Sequence, residues 1–270
     1  MKFKAGKKYK PVCKVANGTA IAVIGDVHGQ LHLFQNILSQ IDDAFDQLNL
    51  TKNIIVQVGD LIDRGEDSIA CMDLAIQRKF CEKSNFIALM GNHEQILRLC
   101  LRSNEDCTKY ISGWMSNGGR ATLDDLLGLE KYNDTAEIMN SPALFREDLR
   151  NALGDCRRDY LDDLKSHYLN EELIVTHAGI TSALGVEDTL KMPWDDQSSH
   201  HWAWTRKPAD NGLIYCNKKV FLIHGHTVNN VIIQRKHRLE IDSGACCYGI
   251  LSAAIFTNND MMIVQSVDQN

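Results

Sequence analysis

The chain has 270 residues, 44% hydrophobic and 24% charged with only four prolines, which excludes a disordered or low-complexity polymer. It suits one domain spanning 1–270 with an insertion. Acidic residues outnumber basic ones 35 to 29, a net charge of −6, so binding that wraps a nucleic-acid backbone is not expected.

No apolar run approaches the ~20 residues of a membrane-spanning helix. The basic start MKFKAGKKYK lacks the ~7–15-residue apolar segment of a secretory signal. A soluble, cytoplasmic chain with no membrane partner is the expectation. Nine cysteines, an odd number without a CxxC and with Cys246 beside Cys247, read as free thiols in a reducing compartment.

In chain order, AIAVI at 20–24 is a continuous apolar run ending at Gly25, as expected of a strand buried on both faces. Leu31, Phe34, Ile37, Leu38 and Ile41 then share one helical face. IIVQV at 54–58 is the next strand, and Ser68 can cap a helix carrying Ile69, Met72 and Ile76. FIALM at 86–90 is the third strand, followed by a helix with Ile96, Leu97 and Cys100. This alternation predicts an α/β fold with a largely parallel sheet.

From about 95 to 170 the pattern turns helical, an expected insertion over one sheet edge. Ser141-Pro142 is a good helix start, and Leu149, Leu153, Cys156, Tyr160 and Leu164 follow at helical spacing. Strands return at 173–176, 220–223 and 231–233. A hairpin at 251–256 and 261–267 closes the chain around the polar turn 257–260.

Polar side chains able to bind metal fall where strands end. Asp26 and His28 stand in GDVHG, Asp60 in GDLIDRG, Asn92 and His93 in GNHE, His177 in THAGI and His226 in HGHT. In open α/β sheets ligands bind beyond the carboxyl ends of strands, so these loops are expected on one rim. Carboxylate, imidazole and amide together suit first-row divalent ions rather than calcium. These groups exceed the needs of one tetrahedral ion; two ions sharing a carboxylate would use them.

GDVHG, GDLIDRG, GNHE, THAGI and HGHT resemble the signature blocks of the calcineurin-like metallophosphoesterases. They are most similar to the PPP-type serine/threonine protein phosphatases, especially the small bacterial and bacteriophage ones. The resemblance spans residues about 21–250. It implies a four-layer α-β-β-α sandwich and two divalent metal ions. Manganese is the first choice, while iron, zinc, cobalt and nickel accept the same ligands. One ion would take Asp26, His28 and Asp60; the other Asp60, Asn92, His177 and His226. A hydroxide held between them is the implied nucleophile for in-line attack, with no phosphoenzyme. His93 would protonate the leaving oxygen, Asp63 would hold its other nitrogen, and Arg64 and Arg206 would clamp phosphate oxygens.

The expected activity is a phosphomonoesterase acting on phosphorylated protein or a small phosphoester. The alternative is a nucleotide pyrophosphohydrolase similar to the symmetrical diadenosine tetraphosphatases, which tend to lack the carboxylate at Asp63. A scaffold that has lost catalysis is disfavoured because every ligand, the acid and Arg64 are present. Oligomeric state is not written in the sequence.

Other candidates have plainer readings. His32, His167 and His237 read as solvated or packed, His224 as a neighbour of the rim, and His200-His201 as part of a polar loop. Glu94 reads as a helix-terminal charge or as an acceptor behind the ligands. Trp114 with Asn117-Gly118-Gly119 reads as a helix-linking turn, or as a lid over substrate. DSGACCYG at 242–249 is expected to return to the site, with Tyr248 on its rim.

Overall fold

The computed structural model describes residues 6–102, 107–129 and 131–268. The first five residues of the basic start, and residues 103–106 and 130 of the expected insertion, lie outside it. The chain begins with β1 (Lys8–Tyr9), β2 (Thr19–Ile24), α1 (Leu31–Leu48), β3 (Lys52–Gln57), α2 (Ser68–Arg78), β4 (Asn85–Ala88) and α3 (Asn92–Cys100). Helices follow: α4 (Cys107–Trp114), a π turn (Met115–Gly119), α5 (Arg120–Leu127), α6 (Thr135–Asn140) and α7 (Pro142–Asp163). Then come β5 (His167–Asn170), β6 (Leu173–Thr176), α8 (Gly185–Leu190), β7 (Leu213–Tyr215) and β8 (Lys218–His224). The chain ends with β9 (Ile233–Gln234), β10 (Arg238–Glu240), α9 (Ala245–Tyr248), β11 (Ile250–Phe256) and β12 (Met261–Val267).

Two sheets form, in the orders β1-β12-β11-β2-β3-β4 and β5-β6-β8-β10-β9, with β7 paired to β8. β2, β3 and β4 run parallel, as do β6, β8 and β10. Apolar side chains divide into three layers. Ala20, Ala22 and Ile24 of β2 face α1, whose Phe34, Ile37 and Ile41 are buried against them. Ile21 and Val23 face the other way and meet Val175, Ile223 and Leu239 of the second sheet. Ile174 and Leu222 point outward from that sheet to Val186 of α8. Strict alternation on strands buried on both faces therefore yields helix, sheet, sheet and helix layers.

Several details depart from the sequence expectation. Ser68 is the first residue of α2 rather than its cap; its hydroxyl accepts the Asp63 N–H at 3.0 Å. Ser141 precedes α7 as expected, but its hydroxyl makes no capping bond. Gly154 breaks the helical backbone of α7 (φ 68°, ψ 175°), and just beyond it Cys156 is exposed while Leu153 and Tyr160 are buried. The helical stretch stops at Asp163, and residues 167–170 form the edge strand β5. Of 231–233, only Ile233 is in a strand. Its partner β10, with the charged sequence RLE, carries no apolar strand signal. Arg238 and Glu240 are buried by pairing with each other at 3.0 Å, a burial that depends on having that partner. Eight cysteines with described side chains are free, and no described helix is long and apolar enough to cross a membrane.

Candidate active site

In-register pairing of β2 with β3 sets their following loops side by side. The loops then bond directly: the N–H groups of Val27 and His28 donate to the Asp60 carbonyl at 3.0 and 2.9 Å, and that of Gly29 donates to the Leu61 carbonyl at 2.9 Å. The Gly225 N–H donates to the His177 carbonyl at 2.7 Å, joining the loops after β6 and β8. Tightness at this rim excludes side chains. A Cβ on Gly91 would lie 2.1 Å from Asp60 Oδ1, and one on Gly225 would lie 1.9 Å from Asp26 Oδ1. His28, Asp60, Asp63, Arg64 and His226 all hold left-handed φ angles of 47–72°. Such conformations cost about 1–3 kcal/mol each and persist where the surroundings over-determine them, commonly at functional sites.

Asp26, His28, Asp60, Asp63, Asn92, His93, His177 and His226 are all buried. Two groups of potential ligand atoms share Asp60, each with its atoms within 4.8 Å of one another: His28, Asp60 and His93, and Asp60, His177 and His226. His93 thus stands closer to the first group than the sequence suggested. Asp26 belongs to neither group; its Oδ2 accepts the His226 N–H at 3.0 Å.

The chemistry of these donors fits cations. His177 Nδ1 lies 3.0 Å from the Val58 carbonyl, an acceptor only, so that nitrogen carries the hydrogen. Nε2 then directs its lone pair toward Asn92 Oδ1 at 3.1 Å and Asp60 Oδ2 at 3.3 Å. His28 repeats the pattern: Nδ1 donates to the Ile62 carbonyl at 2.9 Å, leaving Nε2 as the ligand atom. Asp26 Oδ1 and His226 Nε2 are buried with no hydrogen-bond partner. Acceptors facing one another, with other ring nitrogens held by backbone carbonyls, form the donor set of a metal site.

Electrostatics separates the histidines. Burial, reinforced by His93, pushes His28 down to about 3, and burial with the neighbouring His177 pushes His226 down as well. Both are the neutral rings a metal requires. Burial also opposes charge on His93, but Asp60 and the hydrogen bond to Asp63 hold it above the usual histidine value. Burial works to raise the Asp60 carboxyl, yet His177, His93 and His28 around it hold it well below the usual range. Asp26 is raised by burial and by the charges of Asp242 and Asp60.

His93 Nδ1 donates to Asp63 Oδ2 at 2.7 Å. Asp63 also accepts from Trp114 Nε1, 3.0 Å from both oxygens, and from Thr122 Oγ1 at 2.6 Å. Trp114 is fully buried, so it is neither lid nor mere linker; the π turn after it does link α4 to α5. Arg64 lies across the cluster with its guanidinium 2.9 Å from His28 Nε2 and 3.1 Å from His93 Nε2. Arg206 is exposed, and its charge helps depress His226.

Glu94 is an acceptor behind the ligands. Its carboxylate takes the N–H groups of Asp60, Leu61, Ile62 and Gly91 at 2.7–3.3 Å. Asp242 returns near the site as expected of DSGACCYG, close enough to raise Asp26, and Tyr248 is exposed. His224 is buried on β8, donating to the Gly225 carbonyl, while His201 donates to the Pro193 carbonyl. His32 pairs with Asp268 at the surface. Thr122 and Ser68 were not legible as site residues, since a lone hydroxyl carries no signal of its partner.

The sequence profile of the calcineurin-like phosphoesterases matches residues 19–264. The chain belongs to that family. It is accordingly a hydrolase of phosphate esters, in a family that works with a dinuclear metal centre. No curated protein matches it by sequence. Solved structures of similar fold include a cold-active protein-tyrosine phosphatase from a psychrophilic Shewanella species. At 14% identity it covers 96% of this chain and 84% of its own, with a TM-score of 0.56. A serine/threonine phosphatase from Saccharomyces cerevisiae, also 14% identical, covers 97% and 86% with a TM-score of 0.52. A candidate diadenosine tetraphosphatase, 17% identical, covers 96% and 100% with a TM-score of 0.50. At these identities the likeness is one of fold.

Proposed function

We propose that this phosphoesterase is a phosphomonoesterase acting on phosphoserine and phosphothreonine in proteins. The observation that carries the reading is the buried His93–Asp63 pair, 2.7 Å apart, beside the Asp60 cluster. A seryl or threonyl oxygen leaves as a strong base and needs a proton, whereas a leaving phosphate needs little help. A histidine held by a carboxylate and kept above its usual pKa meets the first need.

In this reading Asp26, His28 and Asp60 would hold one divalent ion, and Asp60, Asn92, His177 and His226 the other, with manganese the first choice. When bound, such a pair supplies charge for the phosphoryl oxygens and lowers the pKa of the attacking water. His93 then delivers its proton to the leaving oxygen, with Asp63 fixing the ring and stabilising its charge. Arg64 and Arg206 grip the phosphoryl oxygens with planar forks, drawing Arg64 away from the histidine nitrogens it now faces. Hydrolysis proceeds without a phosphoenzyme.

The test is hydrolysis of a phosphothreonine peptide and of diadenosine tetraphosphate by the same metal-reconstituted enzyme. A higher kcat/KM on the peptide supports the reading. A large preference for the dinucleotide replaces it with nucleotide pyrophosphohydrolysis on the same site.

A further inference from the structure

Arg206 is exposed and, among the described residues, has no hydrogen-bond or ion-pair partner. A long side chain without an anchor is aimed only by its backbone, and ordering it on a phosphate costs rotamer entropy. The backbone leading to it is held from behind. Gln95 on α3 is fully buried, and its amide grips both ends of the preceding segment. Nε2 donates to the Trp194 carbonyl and, at 3.0 Å, to the Asp196 carbonyl; Oε1 accepts from Trp204 Nε1. Carbonyls only accept and an indole only donates, so this orientation of the amide follows from its partners.

The segment is also folded on itself. His201 Nε2 donates to the Pro193 carbonyl at 3.0 Å, and the Thr205 N–H donates to the His201 carbonyl at 3.0 Å. Outside the amide, the Trp194 ring lies against the guanidiniums of Arg98 and Arg102, 3.9 and 4.4 Å from its centre. The segment is thus fastened to α3, whose first two residues are Asn92 and His93.

We infer that Gln95 is a positioning residue for Arg206, latching residues 194–204 to the helix that carries Asn92 and His93 so that the guanidinium is pre-aimed at the phosphoryl group. This rests on the role given to Arg206 under the proposed function. A buried amide that merely stabilised the fold would act equally whether or not Arg206 were present; a latch acts only through Arg206.

The experiment compares the manganese-reconstituted wild type with Gln95→Met, Trp204→Phe, Arg206→Ala and the double variant Gln95→Met/Arg206→Ala. The readouts are KM and kcat on para-nitrophenyl phosphate, competitive inhibition by inorganic phosphate, and bound metal. Arg206→Ala is expected to raise KM and the phosphate inhibition constant about tenfold, and Gln95→Met about three- to tenfold, with two metals retained. The double variant should be no weaker than Arg206→Ala alone. Trp204→Phe removes a single hydrogen bond and should shift both constants in the same direction by less; it carries the test if Gln95→Met does not fold. Losses that multiply in the double variant, or wild-type constants in both Gln95→Met and Trp204→Phe, overturn the latch. Wild-type constants in Arg206→Ala overturn the role of Arg206 itself.

Discussion

Trp114→Phe isolates the support behind the proposed acid. The substitution removes an indole N–H that lies 3.0 Å from both Asp63 oxygens in a fully buried setting. A hydrogen bond to a charged group contributes about 1.5–3 kcal/mol. The space left by the smaller ring adds at least about 1 kcal/mol. Thr122 Oγ1 and His93 Nδ1 still bond Asp63, so the carboxylate is loosened rather than orphaned. The expected loss of stability is about 2.5–4 kcal/mol, read as a lower urea midpoint at unchanged slope. If the contact acts through His93, the loss of kcat should follow the leaving group. It should be about tenfold on a phosphothreonine peptide and smaller on para-nitrophenyl phosphate, whose leaving group needs less protonation. Equal losses on both substrates, or wild-type stability, would refute the chain of contacts from Trp114 through Asp63 to His93.

Three further outcomes are expected. His93→Asn should abolish turnover with bound metal intact, and Asp60→Asn should lose metal; metal analysis of the purified variants decides, and the reverse pattern exchanges the roles. Glu94→Gln replaces an acceptor facing two N–H groups with a donor, so stability should fall by about 2–6 kcal/mol in urea unfolding. A loss below about 0.5 kcal/mol would contradict the part given to Glu94 in holding the Asp60 loop. Gly225→Ala places a Cβ 1.9 Å from Asp26 Oδ1 and should weaken binding of one metal while the chain remains folded. Two metals bound at wild-type affinity would count against Asp26 as a ligand.

By itself the sequence determined the features whose cause is local. Apolar runs at 20–24, 54–58 and 173–176 can bury both faces only as inner strands, and each is found within or overlapping one. Asp26, Asp60 and Asn92 closely follow β2, β3 and β4, so parallel pairing alone was enough to gather them on one rim. His177 follows β6 of the other sheet and joins them only because the two sheets pack face to face. Tertiary structure decided what depends on partners far away in the chain. That Trp114 would serve Asp63, that Glu94 would hold the Asp60 loop, and that Gln95 would grip Trp204 follow from packing across long separations. β10 likewise became a strand because Arg238 and Glu240 neutralise each other in the interior. A residue's type states that a donor needs an acceptor; only the folded chain decides which acceptor it meets.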